Sequence, residues 1–444
     1  MSKGNHWYQL RIPHIRKRLT IRRDWLSHML IWPLLDVARL CLYAGILLCY
    51  IGSLKPWFLW NIDNYYIIIA LSLFLLALLI NRRLREPLLR RNAVLIPTVL
   101  FVFTSLSMGI LGNYNMLGVG LMLLQTPIFY SILSLDRDEQ IRISNFLCRT
   151  MACLMCVSIP FFIFYLAGGS LPHKFVYNEK LLYTFDNYYF FMINDSNERI
   201  IPRFHAFFLE PGHLGTACTF LLLTQIGRWK KWYNLILIFT SIITLSLAAY
   251  VLMAITCVLS LWIRKRKVLG KLLVTVGLFA GFIIGAKVYN SGVNVVNMVI
   301  VERLSLDDSG KMKGDNRATE EFRKEFDRYI ESGQILTGGP KPMSKFPWGN
   351  AGYRVFVYSY GMVTTLLVLL FALSITEGAH PRPKWSMLII GAASFWVRAT
   401  PFYYYYFIPL YMLAHIGWRN DPDYTTETGT CQEIDQKVIT SCPK

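Results

Sequence analysis

Runs of apolar residues, each bounded by short clusters of arginine and lysine, recur along almost the whole chain. A membrane span needs about 20 predominantly apolar residues, so the pattern predicts repeated crossings of a bilayer. It places spans at 37–54, 58–80, 92–111, 116–134, 146–168, 204–226, 233–247, 248–263, 271–289, 353–376, 386–399 and 402–418, twelve in all. The stretch 233–263 is apolar throughout and lies between Arg228/Lys230/Lys231 and Arg264/Lys265/Arg266/Lys267. A single span would set those clusters on opposite sides. Two short spans with a tight turn keep both on one side, which is the preferred reading. The stretch 386–418 has the same form, with Arg398 and Pro401 near its middle.

The composition agrees. Of 444 residues, 54% are hydrophobic and 16% charged, against roughly a quarter charged in soluble domains. Mean hydropathy is +0.38. These values exclude a disordered chain, a collagen-like fibre and an ordinary soluble enzyme. The expected fold class is an all-α polytopic membrane protein of about 12 transmembrane helices. Net charge is +19, and 27 of the 46 basic residues fall in segments 1–26, 81–91, 136–142, 228–231, 264–271, 380–384 and the tail from 419. By the positive-inside rule these face the cytoplasm, as do both termini. The long segments 169–203 and 290–352 then lie outside, the second with 9 basic and 9 acidic residues. Contact with anionic membrane lipid accounts for the positive charge, and no nucleic-acid partner is required.

Residues 1–36 form a basic N-terminal segment, 37–418 the membrane domain and 419–444 a tail. No small-residue cleavage site follows residues 1–26. Trp7, Tyr8, Leu10, Ile12, Ile15, Leu19 and Ile21 allow that stretch either to lie on the inner membrane surface or to remain a disordered tail. Seven of the nine cysteines fall in spans and two, Cys431 and Cys442, in the tail, so no disulfide framework is expected outside. Cys153 and Cys156 have CxxC spacing inside an apolar span without a partner pair, which predicts packing rather than zinc or redox work. No phosphate-cradling glycine loop, HExxH motif or outer carboxylate pair suggests a cofactor or metal.

Polar chemistry concentrates in the two outer segments. The first is rich in aromatic rings, Tyr177, Tyr183, Phe185, Tyr188, Tyr189, Phe190 and Phe191 among them, suited to sugar faces or to an interfacial belt. It runs into Arg203-Phe-His205-Ala-Phe-Phe-Leu-Glu210-Pro211-Gly-His213. On a helix begun near Arg203, Arg203, Glu210 and His213 share one face, and an ionisable residue at that depth is a functional candidate. Alternatively Pro211 opens the helix, and Glu210 complements its N-terminus at the membrane surface. In the second segment, 318–332 places Phe322, Phe326, Tyr329 and Ile330 on one face of an amphipathic helix, with Asn316 to cap it and Gly333 to end it. It would lie on the outer membrane surface or on other helices. Arg317 in its first turn opposes the helix dipole, which points to an anionic partner or to pairing with Glu321. A glycine-rich turn at Gly338-Gly339-Pro340 precedes Trp348-Gly349-Asn350-Ala-Gly-Tyr353-Arg354, then Tyr358-Ser-Tyr360-Gly361. Arg354 and Arg398 each read as an interface anchor or as a ligand for phosphate.

In this order the motifs resemble the O-antigen polymerase and ligase superfamily of bacterial envelopes, over about residues 90–418. They are Arg203-x6-Glu210-Pro211 entering a span, a close pair of short spans around Thr244-Leu-Ser246-Leu247, a large outer loop with an arginine, an amphipathic helix and a Gly-Gly turn, and an Asn-containing segment entering a span with Tyr-x-Tyr-Gly. The likeness is greatest to Wzy-type polymerases of capsule, exopolysaccharide or O-antigen. Ligases of the superfamily typically carry His-Asn where this chain has Gly349-Asn350, and many members have an arginine where Leu247 follows Ser246. The resemblance implies a metal-independent glycosyltransferase of the bacterial inner membrane. It would join repeat units carried on undecaprenyl diphosphate at the outer face, beside flippase and chain-length regulator partners. It implies catalytic roles for Glu210 as base and for Arg203 and Arg317 at the diphosphate. Arg354, His213, Asn350, Tyr353 and Arg398 would bind substrate, and His213 and His205 are weaker alternatives for the base. Ligation to another acceptor, or transport of lipid-linked glycan, are the alternative readings.

Overall fold

A computed structural model describes residues 37–80, 91–112, 116–178, 183–194, 202–263, 268–294, 318–346, 350–399 and 405–416, with Asn297, Val301, Glu302 and Ser305. The helices are α1 (Val37–Ser53), α2 (Tyr66–Ile80), α3 (Arg91–Leu111), α4 (Met116–Leu123), α5 (Gln125–Leu133), α6 (Arg137–Leu166), α7 (Pro211–Thr224), α8 (Trp232–Ile243), α9 (Leu247–Ile263), α10 (Val268–Val288), α11 (Glu320–Glu331), α12 (Tyr353–Ile375), α13 (Pro381–Val397) and α14 (Ile408–Ile416). Among the described residues, five helical stretches are long and apolar enough to cross a membrane: Asp63–Ile80, Val94–Leu111, Met116–Leu133, Arg137–Leu166 and Tyr353–Ile375. The protein is therefore predominantly helical, with several helices of membrane-embedded character.

One part of the all-α expectation is corrected. Within 169–203 a three-stranded antiparallel sheet forms, in the order β1 (Lys174–Asn178), β2 (Tyr183–Asn187), β3 (Met192–Asn194). Val176 pairs with Phe185, and Phe185 with Asn194. The strands carry aromatic and β-branched residues that suit a pleated, half-buried surface. Phe185 and Met192 pack with Leu209 against Trp57 and Trp60, fixing the sheet over the end of α1.

The apolar stretch 233–263 breaks at 244–246, where Leu245 has φ 47°. At 1.5 Å per residue, α8 and α9 are about 18 and 26 Å long, both short of a bilayer core of about 30 Å. Both pack on α7. Every residue of α7 from Gly212 to Leu223 is buried, and α14 is nearly as enclosed. A helix apolar on all sides needs such a position. α7 and α14 thus form the centre, with α6, α8 and α9 around them. On the far side α12 lies along α3, with Ser107 and Thr364 hydrogen-bonded between them. Cys153 and Cys156 are exposed on α6.

The large loop docks on a broken helix. α12 is interrupted at Gly361, with φ 74° and ψ 176°. Only glycine adopts this conformation readily, and a Cβ here would collide with the carbonyl of Leu336. The amides freed by the break are taken by the loop, Met362 N donating to Ile335 O at 2.8 Å and Val363 N to Leu336 O at 3.3 Å. Gly339 N donates to Tyr358 O at 2.6 Å, so the glycine turn seats on the Tyr-x-Tyr-Gly segment. α11 lies against the same segment through Phe322, Phe326 and Tyr329. Ile330, expected on this face, is instead 45% exposed. Glu325 takes a buried place on it, because Lys341 Nζ (3.0 Å) and Arg328 Nη2 (3.1 Å) neutralise the carboxylate. Thr319 caps the helix through its side chain. Asn316, Arg317, Trp348 and Gly349 lie outside the described residues.

Candidate functional site

The link after α1, the ends of α8 and α13, and the start of α7 gather at one end of the bundle. Leu209 N donates to Leu54 O (3.3 Å), Phe204 N to Ile243 O (3.3 Å) and Tyr406 N to Ser53 Oγ (3.0 Å). Residues 203–210 are irregular, with Ala206 at φ 50°. The helix begins at Pro211, and Glu210 is its extended N-cap. This corrects the expectation that Arg203, Glu210 and His213 share one helical face. Proline disfavours the helical conformation in the residue before it, and Glu210 is extended, with φ −138° and ψ 139°, so no helix runs from Arg203 through Glu210. Arg203 turns elsewhere: its Nε donates to Thr244 O at 3.2 Å, at the C-terminal end of α8, where a cation is favoured.

Glu210 pairs with Arg398. Nη2 of Arg398 lies 2.9 Å from Oε2 of Glu210. Arg398 is the residue that ends α13. The Glu210 side chain is 35% exposed and that of Arg398 16%, so the pair sits at an opening instead of being sealed in the core. Gly212, the second residue of α7, makes the approach possible, since a Cβ there would collide with Arg398 Nη2. Ser246 Oγ borders the same point, 3.5 Å from that Cβ position, and joins the α8–α9 turn to the site. The Lys55 charge also acts on Glu210. His213, one turn into α7, places Nε2 3.9 Å from Glu210 Oε2, with its ring 5.7 Å from that of Tyr406. His205 is buried, and its Nδ1 bonds to Phe208 O, which ties it to the loop.

Of the remaining candidates, Tyr353 packs at a tilt against Trp396, two residues before Arg398, with ring centroids 4.4 Å apart. Arg354 lies 5.5 Å from the Tyr353 ring centroid. Both therefore flank the end of α13. The Asn350 side chain accepts from Thr319 N at 2.7 Å, and so ties its segment to the start of α11. Arg317 lies outside the described residues. Sequence reasoning missed Lys55, named Ser246 only within the short-span motif, and gave Arg398 a substrate-binding role without pairing it with Glu210. A signal for the pair existed: Glu210 is the only carboxylate in 204–226, and Arg398 the only Lys or Arg in 386–418.

An apolar recess of about 590 Å³ runs between α12, α13 and α14 and reaches Arg398. Leu366, Leu369, Phe395 and Leu410 are among its walls, and among the described residues Arg398 is its one charged lining residue. The site is thus a carboxylate–guanidinium pair whose guanidinium borders an apolar recess. Such a constellation can take a proton, hold an anion and accommodate an alkyl or isoprenoid chain. Compared with protein-family models, with curated proteins and with solved structures, the chain matches none.

Proposed function

We propose that this protein is a polysaccharide polymerase acting on repeat units linked to undecaprenyl diphosphate. The observation that carries the reading is the Arg398–Glu210 pair, whose arginine lines the apolar recess. A lipid diphosphate has the same layout, an isoprenoid tail joined to an anion. The tail would occupy the recess, and the diphosphate would meet Arg398. A guanidinium has five N–H donors, so Arg398 can hold Glu210 and a phosphate oxygen together. The acceptor hydroxyl gives its proton to the Glu210 carboxylate as its oxygen bonds to the donor's anomeric carbon. The bond from that carbon to the diphosphate breaks, and the leaving anion keeps the electron pair beside Arg398. Fixed cations aimed at developing charge are an effective way to lower such a barrier. Arg203 acts as a positioning residue for the α8–α9 turn, and Arg354 and Arg317 supply further positive charge.

In this reading the bundle crosses the inner membrane twelve times with both termini in the cytoplasm. The end bearing the sheet, the large loop and the ion pair faces outward. Flippase and chain-length regulator partners fit the same place. Analysis of lipid-linked glycan in a strain lacking the protein tests the reading. Single repeats exposed at the outer face, with no polymer, support a polymerase. Full-length polymer left on the lipid carrier would instead identify a ligase, and single repeats held at the inner face a transporter.

A further inference from the structure

A second cavity, of about 810 Å³, lies between the link joining α1 to α2 and the strands β1 and β2. We propose that it is a saccharide-binding cleft that holds sugar residues of the glycan whose lipid linkage lies at Glu210 and Arg398. The proposal rests on the polymerase reading for the identity of the glycan, and on the following geometry for the site. The volume falls within the range of ligand pockets, roughly 300–1,000 Å³. Unlike the apolar recess, this cavity mixes aromatic faces with amides and charges. Tyr177 and Tyr189 are 53% and 49% exposed, while Asn64, Asn178, Lys55 and Lys174 stand beside them. Sugars present apolar C–H faces ringed by hydroxyls, and that combination matches them.

The walls are also held in costly conformations. Among the described residues, seven non-glycine residues have left-handed backbone, and three of them, Lys55, Asp63 and Tyr189, line this one cavity. Such strain persists only where the surroundings enforce it, and it collects at ligand sites. The enforcing contacts are visible. Asn187, 1% exposed, accepts from Tyr189 N at 2.8 Å, and Trp60 Nε1 donates to Lys55 O at 2.8 Å. The cavity adjoins the ion pair, because Leu209 lines it, precedes Glu210 and donates its N–H to the carbonyl of Leu54, the residue before Lys55. A glycan anchored at Arg398 would therefore run outward along these rings.

The test is calorimetric titration of the purified, detergent-solubilised protein. The probe is the repeat-unit oligosaccharide released by mild acid from the host's own lipid carrier, free of lipid and phosphate. Wild type and Tyr177→Phe should bind alike, since both keep the aromatic face. Tyr177→Ala should bind roughly tenfold more weakly, the scale of one lost aromatic contact. No binding by wild type, or equal binding by Tyr177→Ala, overturns the cleft. Neither result touches the polymerase reading, which is decided separately by the lipid-linked glycan of a strain lacking the protein. Binding that persists while Glu210→Gln still polymerises would retain the cleft and remove the catalytic reading.

Discussion

Arg398 and Glu210, 188 residues apart in the chain, meet with Nη2 2.9 Å from Oε2. Each is the only residue of its charge type in its apolar stretch. If Arg398 serves diphosphate through a planar fork, a lysine cannot replace it. Arg398→Lys should lower polymer formation nearly as far as Arg398→Ala, at equal protein level in the membrane. Polymer of normal amount from Arg398→Lys would reduce the arginine to a point charge.

Gly212 tests the geometry without touching either charged group. A Cβ at this position collides with Arg398 Nη2. Alanine suits a helix better than glycine by about 1 kcal/mol, so Gly212→Ala should not weaken α7. It should displace the guanidinium and cut the elongation rate by roughly tenfold or more, as misplaced catalytic groups do. Unchanged elongation in Gly212→Ala would show that the close approach is incidental.

The two-helix reading of 233–263 sets the sidedness of the outer end. Single cysteines at Ser332 and Arg266, in a background free of native cysteine, should differ towards an impermeant thiol reagent added outside. The Ser332 position should react, and the Arg266 position should be silent until the membrane is opened. Labelling of the Arg266 position from outside would place the two basic clusters on opposite faces and remove the hairpin.

The docking of α11 should depend on pH in a defined direction. The Lys341 ammonium, with Arg328 behind it, holds the Glu325 carboxyl below the usual carboxylate range. A carboxyl depressed in the folded state stabilises above its unfolded value of about 4.3, and that contribution disappears as pH falls through the folded value. Hydrogen exchange over 320–331 should therefore stay slow near neutral pH and rise only in acid. Lys341→Met should move the rise to higher pH. The same acid threshold in both proteins would show that the ion pair does not hold the helix.

The helical segments and two of their breaks were legible because each rests on local chemistry. The turn at 244–246 was expected from the basic clusters on either side of 233–263, and Pro211 as a helix start was the alternative reading, whereas the break at Gly361 inside 353–376 was not foreseen. The amphipathic face of α11 was legible through Phe322, Phe326 and Tyr329, but the burial of Glu325 was not, because it depends on Lys341 sixteen residues on. The sheet at 174–194 was hidden by reading its aromatic residues as an interfacial belt. The partner of Glu210 was hidden for another reason. A seven-residue spacing to Arg203 suggested a shared helix face, yet the helix starts only at Pro211, after an extended Glu210. Long-range pairing leaves no periodic trace; its only mark was one lone acid and one lone base in apolar surroundings.

The central claim is that Glu210, held by Arg398, takes the proton of the attacking hydroxyl. The most direct measurement is elongation of lipid-linked repeats by purified Glu210→Gln protein, followed in parallel with lipid-linked glycan in cells carrying the same variant. Glutamine keeps the shape and removes the base. The account predicts a folded, membrane-inserted protein, a rate lowered by roughly 10²-fold or more, and accumulation of single lipid-linked repeats. Normal-length polymer made by Glu210→Gln at the wild-type rate would contradict it, leaving Glu210 as the extended residue before Pro211 and the base elsewhere.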